Sequence, residues 1–282
     1  MARWTKLGLI AGGGDLPLRV AQSCVEQQSP CFVIRLAGLA GEELSGFEGE
    51  AYSLGEAGKI IRSLKENQCD AVSMCGLVAR PDFSGLSLDW RGAAMMPRII
   101  SAAAKGDGAI LSVLVDTFEA EGFIVVGAEE VMASLAVGEG PISTKVPSSD
   151  DWLDIKKSVE IVDALGPFDV GQGAVVIGGQ VIAIEAAEGT DAMLSRCADL
   201  RSSHEGLKHG GVLVKRPKPG QEKRVDLPTI GVMTIVNAAE AGLSGVAVEA
   251  GAALLVDSEE TIAEANKRGL FLIGFTAADL ER

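Results

Sequence analysis

Aromatic side chains are scarce in this sequence. Phenylalanine, tryptophan and tyrosine together make up 4% of 282 residues, and Tyr52 is the single tyrosine. Platforms for stacking bases are therefore few, which argues against a single-stranded nucleic-acid site. An excess of cations is missing too. The net charge is −14, the opposite of the basic surface that contacts with a phosphate backbone require, so no nucleic-acid partner is expected. Histidine occurs twice, at His204 and His209. Those two do not have the i, i+4 spacing of a helical zinc pair, and no G-x-S-x-G elbow offers a serine for a catalytic triad. The five cysteines, Cys24, Cys31, Cys69, Cys75 and Cys197, form no C-x-x-C pair, which removes the short zinc and dithiol motifs. Thiols scattered through apolar runs fit a reducing compartment. No stretch has the ~18 uninterrupted apolar residues of a membrane span. Met1–Gly14 is too broken by glycine to read as a secretory signal. The expectation is a cytoplasmic protein whose contact with a membrane, if any, is peripheral.

What the sequence does hold is apolar alternation and glycine. Hydrophobic residues are 47% of the chain and glycines number 35, enough for two ordinary domains with many tight turns. Over residues 7–134, short apolar runs at Leu7–Ala11, Cys31–Leu36, Asp70–Leu77 and Phe123–Val126 read as buried strands. Helical periodicity separates them at Leu16–Gln27, at Glu56–Asn67 and around Met95–Lys105. Strands alternating with helices imply crossovers and a parallel sheet, so a Rossmann-like domain is expected over 1–136. Residues 137–151, rich in proline, serine and threonine, read as a linker. A distinct mixed α/β domain is expected over 152–282. It would hold a helix over Trp152–Leu165, a Gly-Gly hairpin joining Gly173–Ile177 to Gln180–Glu185, and a helix from Thr190. A strand at Val212–Lys215, a helix over Pro228–Ala241 opening on its proline, and strands near Val246–Glu249 and Leu270–Gly274 complete it.

Three segments have residues suited to anion chemistry. Gly12-Gly13-Gly14-Asp15 follows the first strand. It reads either as a backbone cradle for a phosphate or as a tight strand-to-helix turn. Arg80 and Asp82 follow the third strand, where open α/β sheets bind ligands; they offer a phosphate contact or a surface ion pair. Lys105-Gly106-Asp107-Gly108 reads as a phosphate-facing turn, or as a turn between helices capped by Asp107. The strongest signal is Lys208–Arg224, where Lys208, Lys215, Arg216, Lys218, Lys223 and Arg224 face one acid, Glu222. In so acidic a chain this local inversion of sign suits a diphosphate, although a solvated basic loop has the same composition. Carboxylates stand nearby in sequence at Glu185, Glu188, Asp191 and Asp226. Oxygen ligands beside cationic phosphate holders are what a magnesium site needs.

The segments GLIAGGGDLPL (8–18), GLVARPDF (76–83), KGDGAILS (105–112), VIAIEAAEGTDAML (181–194), GGVLVKRPKPGQEKRVDLPTIG (210–231) and GLSGVAVEAG (242–251) together resemble the LpxI-type UDP-2,3-diacylglucosamine pyrophosphatases. The resemblance spans essentially the whole chain. It implies Mg²⁺-dependent hydrolysis of UDP-2,3-diacylglucosamine to UMP and 2,3-diacylglucosamine 1-phosphate (lipid X), with water attacking the sugar-side phosphorus; because the candidate ligands are oxygens, Mn²⁺ is expected to substitute. It also implies a homodimer, with substrate held between a Rossmann-like and a distinct C-terminal domain and an apolar chamber for two acyl chains. The family's essential aspartate falls in R-V-D-L-P, here Asp226, as a metal ligand or water-positioning group. Asp191 and Glu188 are expected to share the metal with it. Thr190, Lys215, Lys218, Gln221, Arg224 and Thr229 are expected to contact the substrate, with Arg80 and Asp82. The turn Gly12, Gly13, Gly14 is a second, weaker anion site. Two other readings remain open, an NAD(P)-dependent oxidoreductase suggested by the first strand–glycine–helix unit, and a non-catalytic carrier of a lipid sugar.

Overall fold

Strand β1 (Leu7–Ala11) is buried at every residue, as a central strand covered on both faces must be. The chain is seen in a computed structural model that describes residues 3–203 and 210–281; His204, Lys208 and His209 lie outside the described residues. Two compact units are present, one of residues 1–133 with Arg224–Asp226, the other of 134–223 with 227–282.

In the first unit β1 is followed by α1 (Leu16–Glu26), β2 (Cys31–Leu36), β3 (Gly49–Tyr52), α2 (Ala57–Glu66), β4 (Ala71–Cys75), α3 (Trp90–Ala103), α4 (Asp107–Ala120), β5 (Ile124–Val125) and α5 (Ala128–Val131). All strands are parallel, in the order β3-β2-β1-β4-β5. Ile60, Ile61 and Leu64 fall on one stripe of α2 and pack with Ile10, Ile34 and Val72 of the sheet. Val115 and Phe118 of α4 join the same core. The helix expected around Met95 begins earlier, at Trp90, because Asp89 caps it. One Asp89 oxygen accepts from Gly92 N at 2.7 Å, and the other from Lys59 N of α2 at 2.9 Å. The two helix starts are thereby stitched together. Their approach is so close that a Cβ at Gly92 would overlap the Gly55 carbonyl. Helix α4 takes Gly106 (φ +128°) as its N-cap, a conformation suited to glycine. Asp107 is thus the first helical residue rather than the cap, and there its charge suits the helix dipole.

The second unit holds β6 (Gly140–Pro141), α6 (Ser149–Leu165), β7 (Gly173–Ile177), β8 (Gln180–Ile184), α7 (Gly189–Ser203), β9 (Val212–Lys215), β10 (Thr229–Ile230), α8 (Val232–Glu240), β11 (Gly245–Glu249), β12 (Leu254–Leu255), α9 (Ser258–Arg268), β13 (Phe271–Phe275) and α10 (Ala277–Leu280). Its main sheet runs β6-β13-β11-β9-β7-β8, parallel from β13 to β9 and antiparallel beyond. Period-2 alternation sends Leu213, Val246, Val248 and Leu272 into a core on one face. Val212, Val214, Ala247 and Ile273 enter a second core with Ile155 and Val159 of α6. The segment read as a linker is built into this unit: Val137 is a core residue, and Gly140–Pro141 pairs with β13. The helix expected from Pro228 begins instead at Val232. Residues 229–230 pair in parallel with 254–255, and the Pro228 carbonyl accepts from Leu254 N at 2.8 Å, so the proline precedes a short strand.

Candidate active site

The parallel order of the first unit reverses between β1 and β4, since the chain leaves β1 toward β2 on one side and β4 toward β5 on the other. Such a switch point opens a crevice at the carboxyl ends of the two strands. Here the two outgoing loops bind each other. Gly12 N donates to Cys75 O at 2.9 Å, Gly13 N to Leu77 O at 2.9 Å, and Leu77 N to Gly13 O at 2.8 Å. Gly76 (φ +95°) lies so near that a Cβ there would stand 2.7 Å from Gly13 O. The glycines allow close backbone approach, and the N–H groups of Gly12 and Gly13, expected to cradle a phosphate, are engaged by carbonyls.

Beside this junction lies a cavity of about 380 Å³, lined by α2, α3, α4 and the loop after β4, and every lining residue belongs to the first unit. This cavity is thus built by the first unit alone. Its floor is buried: Leu36, Ile60, Ile61, Met95, Thr117 and Phe118 all line it and are largely withdrawn from solvent. Thr117 Oγ1 donates to Val113 O at 2.7 Å, so its polar atom is satisfied within α4. Cys75, also on the wall, has its thiol pushed up to about 12 by burial, as expected in a low-dielectric site. The opposite end is open. Leu77 is 77% and Val78 43% exposed, although both line the cavity.

Polar groups are confined to a few positions on the wall. Arg80 donates to Ala103 O, the end of α3, at 2.7 Å and lies 3.6 Å from Asp107 at the start of α4. It thus ties the loop after β4 to both helices, with its guanidinium and the Asp107 carboxylate half or more exposed. Asp82 is exposed and takes no part in the wall. Arg224–Asp226 completes the site. Arg224 pairs with Glu119 of α4 at 2.6 Å, Val225 packs on the core of the first unit, and Asp226 is half-buried in the cavity wall. Three residues remote in sequence thereby bring a carboxylate to an apolar chamber.

The other expected site residues stand in the second unit and most have structural partners. Lys218 forms an ion pair with Asp169 at 2.5 Å, and Gln221 Oε1 accepts from Lys218 N at 2.8 Å. Arg216 reaches Asp163 and Glu249, each at 3.0 Å, and Lys223 also lies near Glu249. Arg216, Lys218 and Lys223 of the basic loop are thus met by acids from distant parts of their own unit. Thr190 and Lys215 form a buried cluster with Glu185. Thr190 Oγ1 donates to Glu185 Oε1 at 2.7 Å, and Lys215 Nζ donates to Thr190 Oγ1 at 2.6 Å and to Thr229 O at 3.4 Å. The Thr229 hydroxyl donates to Leu227 O at 3.4 Å.

Of the three carboxylates expected to share a cation, Asp226 belongs to the first unit and Glu188 and Asp191 to the second. Glu188 pairs with Arg196 at 2.7 Å, and backbone N–H donation, its own first, together with that pair holds its carboxyl below the usual range. Asp191 accepts from Asn237 at 2.8 Å. Among the described residues no three of His, Cys, Asp or Glu are grouped to hold a metal ion. Reading the sequence alone missed the role of Asp107 in the wall and the chamber of α3 and α4. The signal for the chamber was the nearly uninterrupted apolar run Ala109–Val115, unusual for a helix with one wet face.

The fold and cavity define a doubly wound α/β unit with an apolar cavity near its switch point, followed by a second, mixed α/β unit. A model of the LpxI N-terminal domain matches residues 6–135, and one of the LpxI C-terminal domain matches residues 138–273. The UDP-2,3-diacylglucosamine pyrophosphatase LpxI of Caulobacter vibrioides is 48% identical over 271 residues, covering 95% of this chain and 97% of that protein. The chain belongs to the LpxI family.

Proposed function

We propose that the chain hydrolyses UDP-2,3-diacylglucosamine to UMP and 2,3-diacylglucosamine 1-phosphate, a step of lipid A biosynthesis. The observation that carries this reading is an apolar chamber with Asp226, Asp107 and Arg80 in its wall, in a chain so similar to a relative named for this substrate. An acylated sugar diphosphate needs both parts, since hydrocarbon gains by leaving water and a diphosphate needs cations and ordered donors. Neither an oxidoreductase nor a carrier finds support in the family or the relative.

In this mechanism Arg80 steadies the diphosphate at the mouth, and Asp226 orients the attacking water and accepts its hydrogen bond. The water oxygen bonds to the sugar-side phosphorus, and the bond from that phosphorus to the bridging oxygen breaks. UMP leaves with the bridging oxygen, and the water proton passes to Asp226 and on to solvent. The donor set fits a hard cation. Asp226 and Asp107 both line the cavity and would offer it hard oxygen donors, and Mg²⁺ is commonly held by one or two carboxylates together with substrate phosphates. When bound, Mg²⁺, or Mn²⁺ in its place, neutralises diphosphate charge. The family likeness also leads us to propose a cytoplasmic homodimer that meets a membrane only peripherally. No helix among the described residues is long and apolar enough to cross one.

Hydrolysis in ¹⁸O-water, read by mass spectrometry, tests the reading. UMP should form and the label should appear in 2,3-diacylglucosamine 1-phosphate. Label in UMP would reverse the assignment of the attacked phosphorus, and binding without turnover would favour a carrier.

A further inference from the structure

Resting on that reading of the substrate, we infer that the outward face of α3 docks the first unit on an anionic lipid surface, the surface that presents the diacyl substrate. The helical repeat divides α3 into strips. Gly92, Met95, Met96 and Ile99 line the cavity. Trp90, Ala93, Ala94, Pro97 and Ile100 fall on another side of the helix, and all five are exposed, Trp90 at 68% and Ile100 at 55%. Arg91, Arg98 and Lys105 recur every seven residues, which stacks them in one row along the border of that stripe. Lys105 N donates to Ala102 O at 2.8 Å, so the row continues through the last turn. A helix apolar on both its inner and its outer side lacks the usual wet face.

Charge and area choose what covers the stripe. From Trp90 to Gly106 there are three cations and no acid, in a chain of net charge −14. This segment is where so acidic a chain can approach anionic headgroups. Arg98 lies 3.2 Å from Asp116, but both are more than half exposed, and so weak a pair yields to a lipid phosphate. Arg91 is less exposed and pairs with Glu121 at the end of α4, which fixes the near end of the row. Fourteen residues at ~1.5 Å each, on a helix about 10 Å across, make a stripe of roughly 200 Å². A stable protein interface takes about 800 Å² from each partner, so a second copy is too large an occupant for this face alone. A lipid surface asks for less. Trp and Ile enter the boundary between headgroups and acyl chains, while the stems of Arg and Lys lie along it with their charges in water. Trp90 already stands beside such a charge, with the Arg91 guanidinium 5.7 Å from its ring centre.

Sedimentation with phosphatidylglycerol vesicles, and with phosphatidylcholine vesicles as the neutral control, tests the surface apart from catalysis. The chain should bind the anionic vesicles at low ionic strength, leave them at high salt, and bind the neutral ones far more weakly. With Trp4 and Trp152 changed to phenylalanine, Trp90 is the only tryptophan. Its emission should move to the blue on binding, and bromine placed on the acyl chains near the headgroup should quench it. Arg98→Gln/Lys105→Gln should weaken vesicle binding about 25-fold, about fivefold for each cation. Ile100→Glu should weaken it about tenfold or more. These side chains are exposed and none lines the cavity, so the variants should fold and should turn over substrate dispersed in detergent as the parent does, while turnover of substrate held in vesicles falls. Failure to bind anionic vesicles, an unquenched Trp90, or variants that bind as tightly as the parent would each overturn the docking surface. So would a dimer that Ile100→Glu converts to monomer, since a second copy would then be what covers the stripe. Quenching of Trp90 by vesicles, in a chain that does not hydrolyse the nucleotide sugar, would leave the surface standing and discard the proposed reaction.

Discussion

Replacing Lys215 by methionine should destabilise the second unit severely, and the cluster around it sets the size of the effect. Lys215 is 6% and Glu185 9% exposed, with Nζ and Oε1 3.9 Å apart and the Thr190 hydroxyl bridging them. Glu185 Oε2 is buried without a hydrogen-bond partner among the described residues, so the carboxylate depends on its remaining contacts. At this separation a pair in a medium of effective dielectric about 20 interacts by about 4 kcal/mol, in line with the ~3–5 kcal/mol lost when a buried pair is broken from one side. The double variant Glu185→Gln/Lys215→Met removes both charges and keeps an acceptor for Thr190, so it should recover at least half of that loss. Trp152 is the only tryptophan of the second unit. With Trp4 and Trp90 changed to phenylalanine, its fluorescence in urea reports that unit alone. For a slope of ~2 kcal/mol/M the single variant should shift the midpoint by about 2 M. A shift below about 0.5 M, or a double variant no more stable than the single one, would refute a coupled buried cluster. If Lys215 and Thr190 also contact substrate, the double variant will regain stability without regaining turnover.

Four further outcomes are expected. Asp226→Asn should fold with an unchanged melting temperature and lose about a hundredfold or more in kcat, which steady-state kinetics and substrate binding will separate. Activity should vanish with a chelator and return with Mg²⁺ or Mn²⁺ ahead of Zn²⁺, because the proposed donors are hard oxygens. Gly92→Ala, which sets a Cβ against the Gly55 carbonyl, should cost about 2 kcal/mol and lower the melting temperature by roughly 4–8 °C. Acid should weaken the first unit. Burial pushes Asp70 upward, but the Thr5 hydroxyl and the N–H groups of Lys6 and Thr5 outweigh it, and Tyr52 and Ser63 hold Glu50 down likewise. Depressed carboxylates stabilise above their ordinary values of 3.8 and 4.5, and that stability is lost as pH falls through the folded values. Melting curves of Asp70→Asn and the parent should therefore converge in acid.

Strands buried on both faces were legible in the sequence because nothing but apolar run length was needed. β1 and β9 carry their boundaries in flanking glycine and charge, β2 in the proline before it and the glycine just beyond, and all three ranges agree with the structure. β3 did not announce itself, since Gly49–Tyr52 is an edge strand with exposed residues and no apolar run. Pro228 misled for a different reason. A proline suits both a helix start and a strand start, and only pairing with β12, about two dozen residues later, decides between them. The basic loop shows the limit most plainly. Its cations are local in sequence, but Asp163, Asp169 and Glu249, which neutralise them, are brought by the fold. Asp226 was legible through its motif, whereas the chamber it enters was not, because that needs α3 and α4 packed over a sheet.

The crossing of Arg224–Asp226 into the first unit has a consequence for synthesis. On the ribosome the first unit is complete in sequence at residue 133, but the last part of its cavity wall is made about 90 residues later. At ~5–20 residues/s that leaves roughly 5–20 s in which an apolar chamber waits without Val225 over its core or Asp226 in its wall. During that interval the nascent chain presents hydrocarbon-lined space to the cell, and it is open to chaperones or to a stray acyl group before it is competent for chemistry.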